Sequence, residues 1–203
     1  MNCASCPAPC CRNVLYLTPR EFEQLRKKKP ALKYTRIGDV TILTPCPFLV
    51  ENRCAIYADR PLACVRYPLN VQYREKSVVI VLHFKCPPVP KLAGGDQMLA
   101  PVELERMGIS QGEYRKMFVT NLILDAEIGR VWKNFTLKER NKMRIFEAKT
   151  KQPNPGADAV IAVMPLETYA DLVQTVEDLL DADPGAPYES IAQKVQRKLL
   201  FEQ

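Results

Sequence analysis

All eight cysteines of this 203-residue chain fall within its first 86 residues, and residues 87–203 contain none. Cys3, Cys6, Cys10 and Cys11 form one run, Cys-x2-Cys-x3-Cys-Cys, and Cys46, Cys54, Cys64 and Cys86 follow at wider spacing. This division constrains the fold more than composition does. One half is to be organised by sulfur chemistry and the other by burial of apolar side chains. The N-terminal half carries many prolines and little helical periodicity, so staples or a metal are needed to hold it.

The compartment follows from the same residues. Cys3, Pro7 and Pro9 occupy the place where the apolar core of a signal peptide would sit. The longest apolar stretch, Val78 to Leu82, has strand length, far short of the ~18 residues of a membrane helix. A cytoplasmic chain without a membrane span is expected. In a reducing cytosol, clustered cysteines bind metal or do redox work more often than they form disulfides. The formal charge of +6 counts cysteines as neutral; eight thiolates around two divalent zinc ions would lower it by 4, to +2. The basic excess then largely balances an anionic centre, and nucleic acid is disfavoured as a partner.

Local signals divide the chain into elements. Thr18-Pro-Arg-Glu21 is a capping box with proline at the first helical position, and it opens a helix to about Lys28. Arg26 to Lys29 then sits at the helix C-terminus, where cations suit the dipole. Residues 39–43 alternate as a strand. Cys46–Val50 and Cys54–Tyr57 flank the polar turn Glu51-Asn-Arg53 as a hairpin. Asp59-Arg60-Pro61 starts a turn or short helical segment toward Cys64, and two strands are expected at 69–74 and 77–84. Further along, Ser110-x-x-Glu113 and Thr136-x-x-Glu139 are capping boxes for helices to about Lys133 and Lys149. A short helix is expected at 101–107, a strand at 159–163, and helices at 165–180 and 187–201.

These elements predict an α+β fold. It has an irregular, metal-stapled, Cys-rich N-terminal half with short antiparallel strands and a mainly helical C-terminal half. Pro87, Pro88, Pro90 and Gly94-Gly95 mark the division. A metal- or iron–sulfur-binding domain at 1–92 and a helical domain at 96–203 are expected on either side. The strand at 159–163 needs a partner, because a lone strand is not stable. Addition to the N-terminal strands would join the halves into one structural unit.

A metal needs several soft ligands in one shell. Cys-x2-Cys delivers two of them locally, as in zinc knuckles and iron–sulfur ligand runs. Cys10 and Cys11 are adjacent, so their side chains diverge in extended chain and serve two neighbouring centres, or one of them supports the other. The dispersed cysteines must close the shells from across the fold, so binding and folding coincide. Four ligands plus four fit two zinc sites or two cubanes. Cys6, Cys46 and Cys86 are each followed by proline, as in ferredoxin-type runs, which tilts the choice toward iron–sulfur.

The segments Cys3-Ala-Ser-Cys-Pro-Ala-Pro-Cys-Cys11, Cys46-Pro-Phe-Leu49, Cys54-Ala-Ile-Tyr57, Arg60-Pro-Leu-Ala-Cys64 and Arg66-Tyr-Pro68 carry a resemblance. Together they resemble the cysteine-cluster family described as a zinc- or iron-chelating domain. The likeness covers about residues 3–86 and every cysteine. It implies eight cysteine ligands: Cys3, Cys6, Cys10, Cys11, Cys46, Cys54, Cys64 and Cys86. Flagellin lysine methylases are distantly similar to the same domain, a relation that implies an iron–sulfur cluster and methyl transfer. Val65 stands where many members have arginine directly after the cysteine.

Around the cysteines, Arg12, Arg60, Arg66 and Tyr67 are the candidate cofactor-binding residues. Cations near thiolates stabilise an anionic centre and tune its potential. Arg53 and Lys85 are also near cysteines in sequence. Tyr57 and Tyr67 are expected to pack over the site. His83, the sole histidine, is read as a strand residue. The function read from these features is a zinc or iron–sulfur protein with a structural or electron-transfer role. The alternative is an iron–sulfur-dependent protein-modifying enzyme such as a methyltransferase. No Gly-rich nucleotide loop or acid/base dyad supports that alternative, and Gly94-Gly95-Asp96 reads as a linker turn. Metal ions are the expected partners, with a protein substrate or redox partner beyond them.

Overall fold

The computed structural model describes residues 14–51, 53–83, 101–150 and 159–201. The chain is α+β, with short antiparallel sheets and predominantly helical structure toward its C-terminus. It divides into two compact units. The described residues of the first, the sheet unit, are 65–83, 101–126 and 159–201. Those of the second, the cysteine unit, are 14–51, 53–64 and 127–150. The boundary expected between residues 92 and 96 lies outside the described residues.

In the cysteine unit, β1 (Leu15–Leu17) leads into α1 (Pro19–Lys28), followed by β2 (Thr35–Ile37) and β3 (Val40–Leu43). The three strands form an antiparallel sheet in the order β1-β3-β2. The expectation at 39–43 matches β3, whereas β1 and β2 had no signal beyond three residues each. β3 is buried along its length because both of its faces are covered, Leu43 packing in one apolar cluster and Val40 and Ile42 in another. β4 (Leu49–Val50) and β5 (Arg53–Cys54) form the expected hairpin, with Glu51 in its turn at φ 47°. A single 3-10 turn at Tyr57–Asp59 and the four-residue helix α2 (Leu62–Val65) follow. The capping box of α1 is formed in full: Glu21 N–H donates to Thr18 Oγ1 (3.2 Å), and Thr18 N–H donates to Glu21 Oε2 (2.9 Å).

Two apolar clusters hold this unit. Leu15, Leu17, Phe22, Leu25, Leu32, Leu43 and Phe48 form one. Ile37, Val40, Ile42, Val131, Phe135 and Met143 form the other. The second draws on the end of α4 (Gln111–Lys133) and on α5 (Leu137–Thr150).

In the sheet unit, β6 (Leu69–Tyr73), β7 (Ser77–Leu82) and β8 (Ala159–Pro165) pair antiparallel in that order. β8 therefore finds the partner it needs, paired from Ser77↔Pro165 to Leu82↔Ala159 with a shift in register at Ile80/Val81. The central strand β7 reads as an unbroken apolar run because both of its faces are covered. Ile80 and Leu82 pack with Leu104, Ile109 and Met117, while Val79 and Val81 pack with Val160. The first of these faces is covered by α3 (Pro101–Arg106) and the start of α4. Helix α6 (Leu166–Ala182) lies against β7 and β8, and α7 (Tyr188–Phe201) against α6. Gly108 ends α3 at φ 72°, and the Ser110–Glu113 capping box starts α4. Among the described residues, no helix is long and apolar enough to cross a membrane.

Candidate metal centre

Cys46, Cys54 and Cys64 all belong to the cysteine unit and all are half-buried. Cys3, Cys6, Cys10, Cys11, Cys86, Arg12 and Lys85 lie outside the described residues. Among the described residues, no three cysteine, histidine, aspartate or glutamate side chains form a group able to hold a metal ion.

Each described cysteine is held by a different local device. Cys46 opens the turn into β4, packs on the Leu17/Phe22/Leu43 cluster, and has the backbone N–H groups of Phe48 and Leu49 directed at its sulfur. Cys54 ends β5, opposite Leu49 in the hairpin, and Ala55 N–H closes the loop on Phe48 O (2.9 Å). Cys64 is the third residue of α2; its N–H donates to Pro61 O (2.8 Å), and it packs on the same cluster as Cys46. One apolar surface thus carries two of the three thiols, and the hairpin brings the third near Cys46.

The electrostatics of Cys46 indicate what this corner suits. Burial pushes its thiol up from the ordinary value; N–H donation from Phe48 and Leu49 and the Lys29 ammonium pull down, while a Cys54 thiolate pushes up. Backbone N–H groups aimed at sulfur favour the thiolate. A partly buried thiolate beside a second thiol still lacks positive charge, and a thiophilic cation would supply it. The donor set fits zinc or iron on this ground.

Residues 2–87 match the CxxCxxCC family, described as "Putative zinc- or iron-chelating domain". The CxxCxxCC match encloses every cysteine of the chain and supports metal binding. Residues 88–203 lie outside it. No curated protein and no solved structure matches the chain.

The remaining candidates around the CxxCxxCC cysteines have distinct surroundings. Arg60 lies in the cysteine unit, its guanidinium 3.8 Å from the Tyr57 ring centroid and its Nε donating to Tyr57 O (3.0 Å). Arg66 belongs to the sheet unit, where its Nη1 donates to Asn70 Oδ1 (2.8 Å) and Asn121 Oδ1 (2.9 Å). Tyr67 is in the same unit, its ring 5.7 Å from that of His83. Arg53 is exposed on β5.

Two residues near the CxxCxxCC cysteines went unrecognised in the sequence. Lys29 follows α1 and reads as a solvated helix end, yet its Nζ donates to Pro47 O (3.0 Å) and sits 5.7 Å from the Phe48 ring centroid. It therefore braces the Cys46 turn from outside. Glu21 reads as a capping residue alone, yet Leu62 N–H also donates to its Oε1 (2.6 Å). No local pattern announces either contact, because the partners are 18 and 41 residues away.

Proposed function

We propose that residues 2–87 hold two adjacent thiolate centres, iron–sulfur in preference to zinc, with a structural or electron-transfer role. The supporting observation is the family match that encloses all eight cysteines. Cys3, Cys6, Cys10, Cys11, Cys46, Cys54, Cys64 and Cys86 are the ligands of this reading. When bound, zinc would contribute folding energy and an iron–sulfur cluster would carry single electrons.

The chain's own part is to keep Cys46, Cys54 and Cys64 in place and to offset part of the burial that pushes the Cys46 thiol up. Phe48 and Leu49 donate their N–H groups to Cys46, and Lys29 adds positive charge beside it. The Phe22/Leu43/Phe48 cluster excludes water behind Cys46 and Cys64. A reducing compartment, the cytoplasm in this reading, keeps the thiols available.

Anaerobic isolation of the full chain, followed by metal analysis and absorbance, tests the proposal. Brown protein with ~4–8 iron per chain supports clusters, and colourless protein with ~2 zinc supports the zinc form. Protein that carries neither metal in stoichiometric amount refutes both forms. Cys11→Ser should lower the metal content, and unchanged content would remove Cys11 from the ligand set.

A further inference from the structure

Glu21 is 3% exposed and lies on the first turn of α1, three residues after Thr18. Its two carboxylate oxygens serve two different helices. Oε2 accepts from Thr18 N–H (2.9 Å), which closes the capping box of α1. Oε1 accepts from Leu62 N–H (2.6 Å), the first residue of α2, across 41 residues of sequence. A capping box needs only the first of these bonds. The second uses a buried carboxylate, a costly group to place in a core unless a specific contact repays it.

What the second bond fixes is α2, a helix of four residues: Leu62, Ala63, Cys64 and Val65. A single helical turn has no stability of its own, since nucleation is unfavourable and the orphan N–H groups at its start need acceptors. Leu62 N–H is one such donor, and Glu21 satisfies it. Leu62 is also buried and Cys64 packs on the α1-side cluster, so the turn is pinned at its first residue by Glu21 and at its third by Cys64's packing.

We infer that Glu21 is a positioning residue for the cysteine site: its carboxylate clamps the start of α2 and thereby fixes where Cys64 presents its sulfur. The inference rests on the metal-binding reading of Cys64. Glu21 does not itself act as a ligand here, because both of its oxygens are committed to backbone donors.

The test uses the full-length chain loaded anaerobically with Co²⁺ as the sole metal, read by thiolate-to-cobalt charge-transfer absorbance, with Tm followed in parallel. Glu21→Met fills the space without an acceptor. Glu21→Asp keeps the charge but withdraws it by one methylene. Both should lose one thiolate's share of the band, about an eighth of the whole for two four-thiolate shells. Glu21→Gln keeps one acceptor oxygen and turns an NH2 toward the other backbone N–H, so it should lose either the Leu62 bond or the Thr18 bond: its band or its Tm should fall. Thr18→Ala opens the α1 cap but leaves the Leu62 bond, so its Tm should fall while its band stays whole. Full bands in folded Glu21→Met and Glu21→Asp, or a Glu21→Gln chain unchanged in both band and Tm, overturn the role of Glu21 alone. A wild-type chain that shows no charge-transfer band overturns the metal reading beneath it.

Discussion

Replacing Gly38 by alanine tests the packing of the cysteine unit at one point. Gly38 turns β2 into β3 at φ 56°, in the left-handed region that costs a residue with a Cβ about 1–2 kcal/mol. A Cβ built there lies 2.8 Å from Phe135 Cε1, closer than real contacts allow, and 3.2 Å from Glu139 Oε1. Phe135 cannot simply swing away, because it is buried among Ile37, Val40 and Ile42. Glu139 can move only by leaving the N–H of Thr136, to which it is bonded at 2.8 Å in the α5 capping box. Overpacking of this kind costs about 1–3 kcal/mol. The reduced freedom of the unfolded chain returns about 0.4–1 kcal/mol. The expected net loss is therefore about 2–4 kcal/mol, or roughly 4–16 °C in Tm for a chain of this size. The only tryptophan, Trp132, sits 4.9 Å from the Phe135 ring, so its fluorescence reports unfolding of this unit. The clash also predicts coupling: Gly38→Ala should cost less in a Phe135→Leu background, by about 0.5–3 kcal/mol. A Gly38→Ala chain within about 0.5 kcal/mol of wild type would refute the reasoning. Equal costs in the two backgrounds would refute the clash and leave only the backbone strain.

Two further predictions concern buried polar groups. Asp125 Oδ2 accepts from both Tyr73 and Tyr169 hydroxyls (2.7 Å each), and Tyr169 is 1% exposed. Asp125→Ala strands the Tyr169 hydroxyl and should cost about 1–3 kcal/mol, measured by calorimetry; Tyr73→Phe, at an exposed ring, should cost less, and the reverse order would be inconsistent with this network. Burial raises the Glu21 carboxyl above its ordinary 4.5, against the N–H groups of Thr18 and Leu62 that lower it. Its contribution to stability is thus full below pH 4.5 and is lost as pH rises through the raised folded value. Unfolding free energies measured upward from pH 4 should show this loss in wild type and not in Glu21→Gln; parallel profiles would contradict the burial effect.

Much of the secondary structure was written locally. Three capping boxes, at Thr18, Ser110 and Thr136, open α1, α4 and α5 where the sequence predicts, because a cap depends on residues three apart. The apolar run of β7 and the hairpin at Cys46–Tyr57 were legible for the same reason. The cysteine spacing and its short motifs sufficed to recognise the domain across residues 2–87.

What only the tertiary structure decided depends on residues far apart. β8 could be foreseen as a strand in need of a partner, but its seat beside β7 and the shift in register at Ile80/Val81 follow from packing of both elements. β1 and β2 are too short to carry a periodic signal and exist because β3 pairs with them. The second bond of Glu21 and the reach of Lys29 to Pro47 lie outside any local rule. Capping, turn chemistry and ligand type are properties of neighbours in sequence, and so the cysteine crowding alone announced sulfur chemistry. The placing of Cys46 and Cys64 is a property of neighbours in space: both pack on one apolar cluster, and the helical turn that carries Cys64 starts on a carboxylate 43 residues earlier in sequence.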